Sequence, residues 1–331
     1  MVANGLVGQW VTNGVSSFGA PLAITDVISE PWIRALAWVP VGAAVACFAL
    51  WLLVRIGRSV CPKVTAVAMT SVRESTAQPL FYIIIAIGVF ALLIYPFLSY
   101  NTFGEDIKML KAEGLTFIKI LGIVLAVWTA SVSISEEIEG RTALTLLSKP
   151  LSRRSLLIGK FFGVLIPVAI LFIVLGSLFL CTVSYKLKYD ARETSQPDPD
   201  VVACQQELEG ITPGLALVFM ESVILAAVSV AISTRLPMIP NLIICISIYA
   251  LGHLVPLIVQ SSAGRMEIVQ FIAGLLSSIL PVLENFTLET KIATGRALPH
   301  LYLVWAGLYC VAYSGAALLA GLLLFEDRDV A

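Results

Sequence analysis

Charged residues are scarce in this chain. They account for 13% of its 331 residues, whereas 58% are hydrophobic. An ordinary soluble domain carries about 25% charged residues. A soluble globule of this length could not cover its surface with so few charges, so the composition predicts that lipid replaces much of the surrounding water. The net charge of -1 says nothing about nucleic acid, because no basic face stands out at whole-chain scale, and we expect no nucleic-acid partner.

The sequence also lacks the motifs of common catalytic and metal sites. The pair Gly159-Lys160 has neither the upstream glycine nor the following hydroxyl residue of a phosphate-binding loop. The two histidines, His253 and His300, are too few and too far apart for a zinc-binding helix. None of the six cysteines forms a Cys-x-x-Cys pair, and most lie in apolar runs; Cys204, in a polar stretch predicted to be a loop, is the exception. We therefore expect no catalytic residue, metal or cofactor on this chain.

What the sequence does contain is seven apolar runs long enough to cross a membrane as helices. A helix needs about 20 apolar residues, because each residue adds about 1.5 Å against a hydrocarbon layer of roughly 30 Å. The shorter run Val269–Leu283 contains a proline, which predicts a re-entrant or interfacial pair of half-helices. The predicted fold class is all-α, a polytopic membrane helix bundle. The predicted spans are Ala35–Val54, Leu80–Ser99, Thr116–Ser133, Gly159–Ser184, Gly214–Ser233, Pro240–Val259 and His300–Phe325.

Lysine and arginine concentrate in alternate connections between these spans. They occupy positions 55–73 after the first span, recur through 141–160, and return at Arg235. The intervening stretch Tyr185–Pro213, predicted to be a loop, carries six acidic residues against three basic ones. The positive-inside rule then predicts an inner-membrane protein with its N-terminus outside and its C-terminus in the cytoplasm.

The first basic connection, Cys61–Pro79, is too polar to be a further span. Val64, Val67 and Ala68 alternate there with polar residues, a pattern that suits an amphipathic helix lying in the inner membrane interface. A plain polar linker is the alternative interpretation.

Apart from Lys160 at the edge of its span, the charged residues inside predicted spans are Lys119 and Glu221. Charges at such positions are costly, so each is a candidate for a transport pathway. The alternatives are a structural pair between the two, or edge charges that reach for lipid headgroups. His253 also lies within a span, where it is expected either to line a pathway or to make a polar contact between helices.

The connection that follows the third span has the pattern of a short helix held between two membrane helices. Gly140 allows a sharp backbone turn after an acidic continuation of the preceding helix. The stretch Arg141–Ser148 predicts an amphipathic helix of about 12 Å. Pro150 ends that helix, and Ser152 is placed to cap the next one. A short, stiff element in this position can transmit a displacement to both flanking spans.

The same connection carries acidic residues, a glycine, a threonine, a Leu-Leu-Ser-x-Pro run and a Gly-Lys pair. In this order the pattern resembles the coupling-helix region of ABC transporter permeases of the type-2 exporter class. The resemblance covers residues 61–330. The residues that it implies in ATPase coupling are Glu136, Glu137, Glu139, Gly140, Arg141, Thr142, Leu146, Leu147, Lys149, Pro150, Arg153, Arg154, Gly159 and Lys160.

The resemblance implies a transmembrane subunit that performs no covalent chemistry itself. Such a permease pairs with a second permease subunit, identical or paralogous, and binds two separate ABC ATPase subunits that hold ATP and magnesium. Export is the implied direction. Members of the class commonly have six core spans, so the span Ala35–Val54 is an addition. We accordingly divide the chain into an N-terminal segment, 1–60, and a permease domain, 61–331.

Two other functions fit a membrane bundle. The first is a scaffold or regulatory subunit that docks an ATPase but transports nothing. The second is a membrane-embedded enzyme that acts on lipids. The enzyme is the weaker alternative, because the sequence suggests no cluster of polar or acidic residues at a single membrane depth.

Overall fold

The computed structural model describes residues 30–98, 106–139, 152–195, 197–260, 267–287 and 299–326, and these ranges contain helices but no β-strand. The all-α fold class is therefore confirmed. Short 3-10 turns, Tyr95–Phe97 and Leu283–Phe286, follow the fourth and ninth α-helices. In chain order the helices are α1 (Pro31–Ala35), α2 (Trp38–Val60), α3 (Pro62–Ala77), α4 (Pro79–Ile94), α5 (Asp106–Glu139), α6 (Arg153–Glu193), α7 (Val201–Ser233), α8 (Met238–Gln260), α9 (Glu267–Ile279) and α10 (His300–Glu326).

Seven helical stretches in the described ranges are long and apolar enough to cross a membrane. Each of them overlaps one predicted span, so the prediction of a multi-pass helix bundle is confirmed. The stretches are Pro31–Val60, Pro79–Phe97, Asp106–Ser133, Arg153–Glu193, Val201–Ser233, Met238–Val255 and His300–Phe325.

The connections rich in lysine and arginine meet at one end of the bundle. Lys160, near the start of α6, contacts Ser133 of α5. Arg153, also on α6, contacts the last turn of α10, and so does Arg235 from the turn after α7. We call this end the basic end, and the opposite end the far end.

Much of the far end is helical where the sequence predicted a loop. With 41 and 33 residues, α6 and α7 extend about 60 Å and 50 Å, well beyond a hydrocarbon layer of about 30 Å. The loop predicted across Tyr185–Pro213 is too long: α6 runs to Glu193 and α7 begins at Val201, so only the middle of the stretch connects the two helices. Charged residues of the helical parts have partners on neighbouring helices, as in the pair Lys111–Glu207. Cys204 is likewise buried in α7 rather than placed in a loop.

The centre of the bundle is formed by α5, α6 and α7, whereas α2 and α10 leave most of their apolar surface exposed. Leu125 of α5, Leu175 of α6 and Leu217 of α7 are fully buried. Helices approach closely at small residues: a Cβ added at Gly114 of α5 would lie 2.1 Å from the Phe179 ring of α6. Such close contacts suit a membrane bundle, because burial of apolar surface gives little driving force between helices in lipid.

The additional N-terminal span is attached mainly at its two ends. At the far end, Ser184 Oγ of α6 donates to Trp32 O of α1 at 2.9 Å, and the Trp32 ring packs edge-on against Tyr185. At the basic end, α2 runs into α3, and Gly57 lies beside Thr65. Between these attachments α2 is largely exposed, so it lies at the periphery of the bundle.

The two short elements expected at the membrane surfaces are helical. The amphipathic helix predicted across Cys61–Pro79 is present as α3, which excludes the plain linker. The predicted pair of half-helices corresponds to α9 and the 3-10 turn Leu283–Phe286, with Pro281 between them. The depth of both elements in a bilayer stays a prediction.

Candidate functional site

The first turns of α6 form the centre of the basic end. The cap predicted at Ser152 is present, since Ser155 N donates to Ser152 Oγ at 3.3 Å. From this start, residues 153–163 of α6 contact α3, α5 and α10. The helix that leaves the predicted coupling connection is therefore bound to three other elements within its first three turns.

Two glycines on α6 permit a close approach to α3. Gly159 and Gly163 are four residues apart and so share a face of the helix. A Cβ added at Gly159 would lie 2.7 Å from Val67 Cβ, and one at Gly163 would lie 2.4 Å from Ser71 Cβ. Real Cβ atoms do not approach so closely, so α3 sits against α6 at a distance that only glycine allows. This contact explains why Val67 is buried rather than directed to lipid.

Lys160 lies between these glycines and joins three helices. Its Nζ donates to Ser133 O and to Ser133 Oγ of α5, both at 3.0 Å, and lies 3.4 Å from Glu74 Oε2 of α3. Ser133 Oγ also shares a 3.0 Å hydrogen bond with Ser71 Oγ of α3. The lysine is only 2% exposed, so these oxygens replace the water that its charge would otherwise bind.

Two arginines hold the last turn of α10 at the basic end. Arg153 Nη1 donates to Phe325 O at 3.1 Å, and its guanidinium lies 5.6 Å from the centre of the Phe325 ring. Arg235 Nε donates to Leu324 O at 2.6 Å. The last carbonyls of a helix have no partner within the helix and carry its negative dipole end, so two cations here are favourable.

The predicted coupling residues divide into a described and an undescribed group. Glu136, Glu137 and Glu139 lie in the last turns of α5, which continues past its apolar part as predicted. Arg153, Arg154, Gly159 and Lys160 lie in the first turns of α6. Residues outside the described ranges are Gly140, Arg141, Thr142, Leu146, Leu147, Lys149 and Pro150, and the predicted coupling helix Arg141–Ser148 lies there as a whole.

The three charged or titratable candidates within the spans come together in space. Lys119 Nζ of α5 lies 4.0 Å from Glu221 Oε2 of α7, and His253 Nε2 of α8 lies 3.4 Å from Glu221 Oε1. All three lie about 20 Å along their helices from the basic end. The pairing of the lysine with the glutamate is one of the alternatives that the sequence left open. The expectation that no polar cluster converges at one membrane depth is wrong, because the packing of α5, α7 and α8 assembles one.

The hydrogen bonds of His253 define its orientation in this cluster. A carbonyl can only accept, so Nδ1 donates to Tyr249 O at 3.0 Å. Nε2 then faces Thr287 Oγ1 at 3.0 Å as well as the Glu221 carboxylate. The cluster thus combines one carboxylate, one ammonium and one imidazole from three helices. Such groups can exchange hydrogen bonds and ion pairs with one another when the helices move. Within the described residues, no group of three or more His, Cys, Asp or Glu side chains is arranged to hold a metal ion.

Sequence comparison finds one known family that covers most of the chain. A family model described as "ABC-2 family transporter protein" matches residues 64–330, which is most of the chain. The match begins inside α3 and leaves α1 and α2 outside it. A search of curated proteins finds no match to this chain.

Proposed function

The chain belongs to the ABC-2 transporter family and is a membrane-embedded component of an ABC transporter; we propose that its 136–160 region couples it to separate ATPase subunits and that the complex works as an exporter. In this proposal the N-terminus and the far end face the outside, and the basic end faces the cytoplasm. Two ATPase subunits bind at the basic end with ATP and magnesium. A second permease chain, identical or paralogous, completes the membrane part.

The observation that carries the proposal is the environment of Lys160. Its ammonium joins the end of α5 to the start of α6, the two helices that flank the predicted coupling helix, and it also contacts Glu74 of α3. A displacement of the connection between Glu139 and Ser152 therefore acts on three helices at once. A flexible attachment would not transmit the displacement. The contacts of Lys160 instead leave α3, α5 and α6 little freedom to move relative to one another.

A second observation favours a permease over a scaffold that only docks an ATPase. Glu221 is fully buried, and it shares its site with Lys119 and His253. A buried charged cluster is expensive in a membrane and is a functional site by default. A docking scaffold has no use for such a cluster, whereas a permease can use groups that exchange partners as it changes between inward-open and outward-open states.

The first experiment is purification of the full chain in mild detergent together with the ATPase that accompanies it. We expect the permease to stimulate ATP hydrolysis, and deletion of residues 142–148 to abolish that stimulation while leaving membrane insertion intact. A matched control is Arg58→Gln, a change in another basic connection. Unchanged stimulation after the deletion would contradict coupling through this region, and absence of any copurifying ATPase would contradict the proposed function as a whole.

Orientation is tested separately by labelling in intact cells. Asp198 and Ser152 are both exposed: Ser152 caps the start of α6, and Asp198 lies in the connection from α6 to α7 at the opposite end of the bundle. A cysteine at Asp198 should react with a membrane-impermeant thiol reagent, and one at Ser152 should not. Labelling of the Ser152 variant alone would reverse the proposed topology. The exposed native residues Cys47 and Cys61 are replaced by serine beforehand, so that they give no background.

A further inference from the structure

The last helix, α10, is hydrogen-bonded to the backbone of residues 279–287, which we call the far-end segment. Three tyrosines make these contacts, and each uses its hydroxyl group. The bonds run from Tyr302 Oη to Asn285 O (2.5 Å), from Val282 N to Tyr309 Oη (2.9 Å) and from Tyr313 Oη to Ile279 O (2.9 Å).

The spacing of these tyrosines shows that the far-end segment is contacted by one face of α10. Tyr309 follows Tyr302 by seven residues and precedes Tyr313 by four, so all three side chains lie on the same side of the helix. The segment is therefore attached to α10 at three points along about 16 Å of helix. An axial shift or rotation of α10 must move the segment or break these bonds.

The far-end segment in turn contacts the buried charged cluster. Its last residue, Thr287, lies 3.0 Å from His253 Nε2, the ring nitrogen that also faces Glu221. Phe286 and Leu283 of the same segment are buried in the apolar core beside it. Movement of the segment therefore changes the surroundings of the imidazole and of the carboxylate.

At the basic end, α10 has contacts of two different kinds. Arg235 lies two residues after the end of α7, and α7 packs against α10 so closely that a Cβ added at Gly321 would lie 2.8 Å from Ala231 Cα. That arginine therefore lies in the turn after a helix that already fits tightly against α10. Arg153, by contrast, is the first residue of α6 after the predicted coupling connection, and it binds Phe325 O. Through Arg153, the start of α6 next to that connection is bonded to α10.

We propose that α10 acts as a connecting rod, transmitting displacement of Arg153 at the basic end to the far-end segment over the Lys119–Glu221–His253 cluster. This inference rests on the proposed coupling to an ATPase. Physically it needs a stiff element, and a continuous helix of 27 residues, about 40 Å long, meets that need. Arg153 and the three tyrosines are positioning residues in this account, because they act through the segment and not on a substrate.

The test is hydrogen exchange in the far-end segment of the full complex in lipid nanodiscs. Exchange is measured without nucleotide and with ATP plus vanadate, which traps the ATPase pair. In the wild-type protein we expect exchange of residues 279–287 to differ at least about fivefold between the two states. Arg153→Gln should remove most of this difference, whereas Arg235→Gln, which removes a cation from the same helix end, should retain it.

A second variant tests the rod far from the ATPase. Tyr309→Phe removes the hydroxyl that accepts from Val282 N, and Tyr82→Phe is its matched control, since Tyr82 is an exposed tyrosine on α4. Tyr309→Phe should leave stimulation of ATP hydrolysis intact while reducing the nucleotide-dependent difference in exchange. Tyr82→Phe should change neither quantity.

The possible results separate this inference from the proposed function. If ATP hydrolysis is stimulated but exchange in the segment does not depend on nucleotide, the hypothesis that α10 transmits the displacement is wrong. The proposed coupling to the ATPase is then unaffected. If Arg153→Gln and Arg235→Gln reduce the difference equally, both arginines only stabilise the helix end, and the rod is again overturned. If no ATPase is engaged by the wild-type chain, the proposed function fails, and the inference fails with it.

Discussion

The basic end and the charged cluster both bury a lysine, yet they hold it differently. Lys160 has two hydrogen bonds of 3.0 Å to one serine of a neighbouring helix, and glycines flank it in the same contact. Lys119 lies 4.0 Å from Glu221, whose other oxygen is 3.4 Å from an imidazole. The first arrangement is a close-fitting joint, and the second is a looser group of charges. A joint transmits displacement, whereas loosely held charges can exchange partners when helices move.

The largest effect on stability is expected in the charged cluster. Glu221→Leu leaves the buried Lys119 ammonium without its carboxylate, which should cost about 3–5 kcal/mol of stability. The measurement is the temperature at which the purified protein loses its monodisperse peak in size-exclusion chromatography. The double variant Lys119→Met with Glu221→Leu should recover most of the loss. A single variant as stable as the wild type would mean that the cluster does not hold the helices together.

The next effect concerns the joint itself. Lys160→Met keeps the length of the side chain but removes its hydrogen bonds to Ser133, for a loss of about 1.5–3 kcal/mol. Stimulation of ATP hydrolysis should fall along with stability. The far-end variant Lys188→Met, which removes a more exposed lysine, is the control and should retain stimulation. If both variants stimulate ATP hydrolysis equally well, Lys160 contributes only to stability and not to coupling with the ATPase.

The contact of Gly163 with α3 tests the close fit between α3 and α6 without a change of charge. Gly163→Ala places a Cβ about 2.4 Å from Ser71 Cβ, so α3 or α6 must shift, at a cost of about 1–3 kcal/mol. Gly315→Ala on α10 is the matched control, because nothing lies within 4 Å of a Cβ there. The control should be neutral or slightly stabilising, as expected for alanine in a helix. The same assay of thermal stability compares the two variants. Equal stability would show that the contact between α3 and α6 accommodates an added methyl group without loss.

The smallest effect is expected at the far end, in the ion pair between Lys188 and Glu30. The hydrogen bond from Lys188 lowers the pKa of the exposed Glu30 carboxyl. Because the folded pKa is the lower one, this contribution to stability is present above the ordinary pKa of a glutamate and is lost as the pH falls through the folded value. Lys188→Met should slightly flatten the stability curve between roughly pH 6 and pH 3. An identical curve would show that the pair contributes nothing.

Much of this architecture was predictable because it depends on local properties. Length and hydropathy along a single helix are sufficient to predict spans such as His300–Phe325. The cap at Ser152 follows from one residue type before one helix. The loop predicted across Tyr185–Pro213 failed for the opposite reason. Its charges looked like solvent-exposed loop residues, and only the neighbouring helices, with partners such as Lys111 for Glu207, make them compatible with helix.

The sequence by itself determined that this protein is a membrane helix bundle with a family pattern in its 136–160 region, because hydropathy and motif spacing are both properties of neighbouring residues. The tertiary structure alone decided that Lys160 joins α3, α5 and α6, that His253 joins Lys119 and Glu221, and that the tyrosines of α10 hold the far-end segment. Each of these contacts links residues at least 17 positions apart. Helix packing brings such distant residues together, and no pattern of neighbouring residues predicts it.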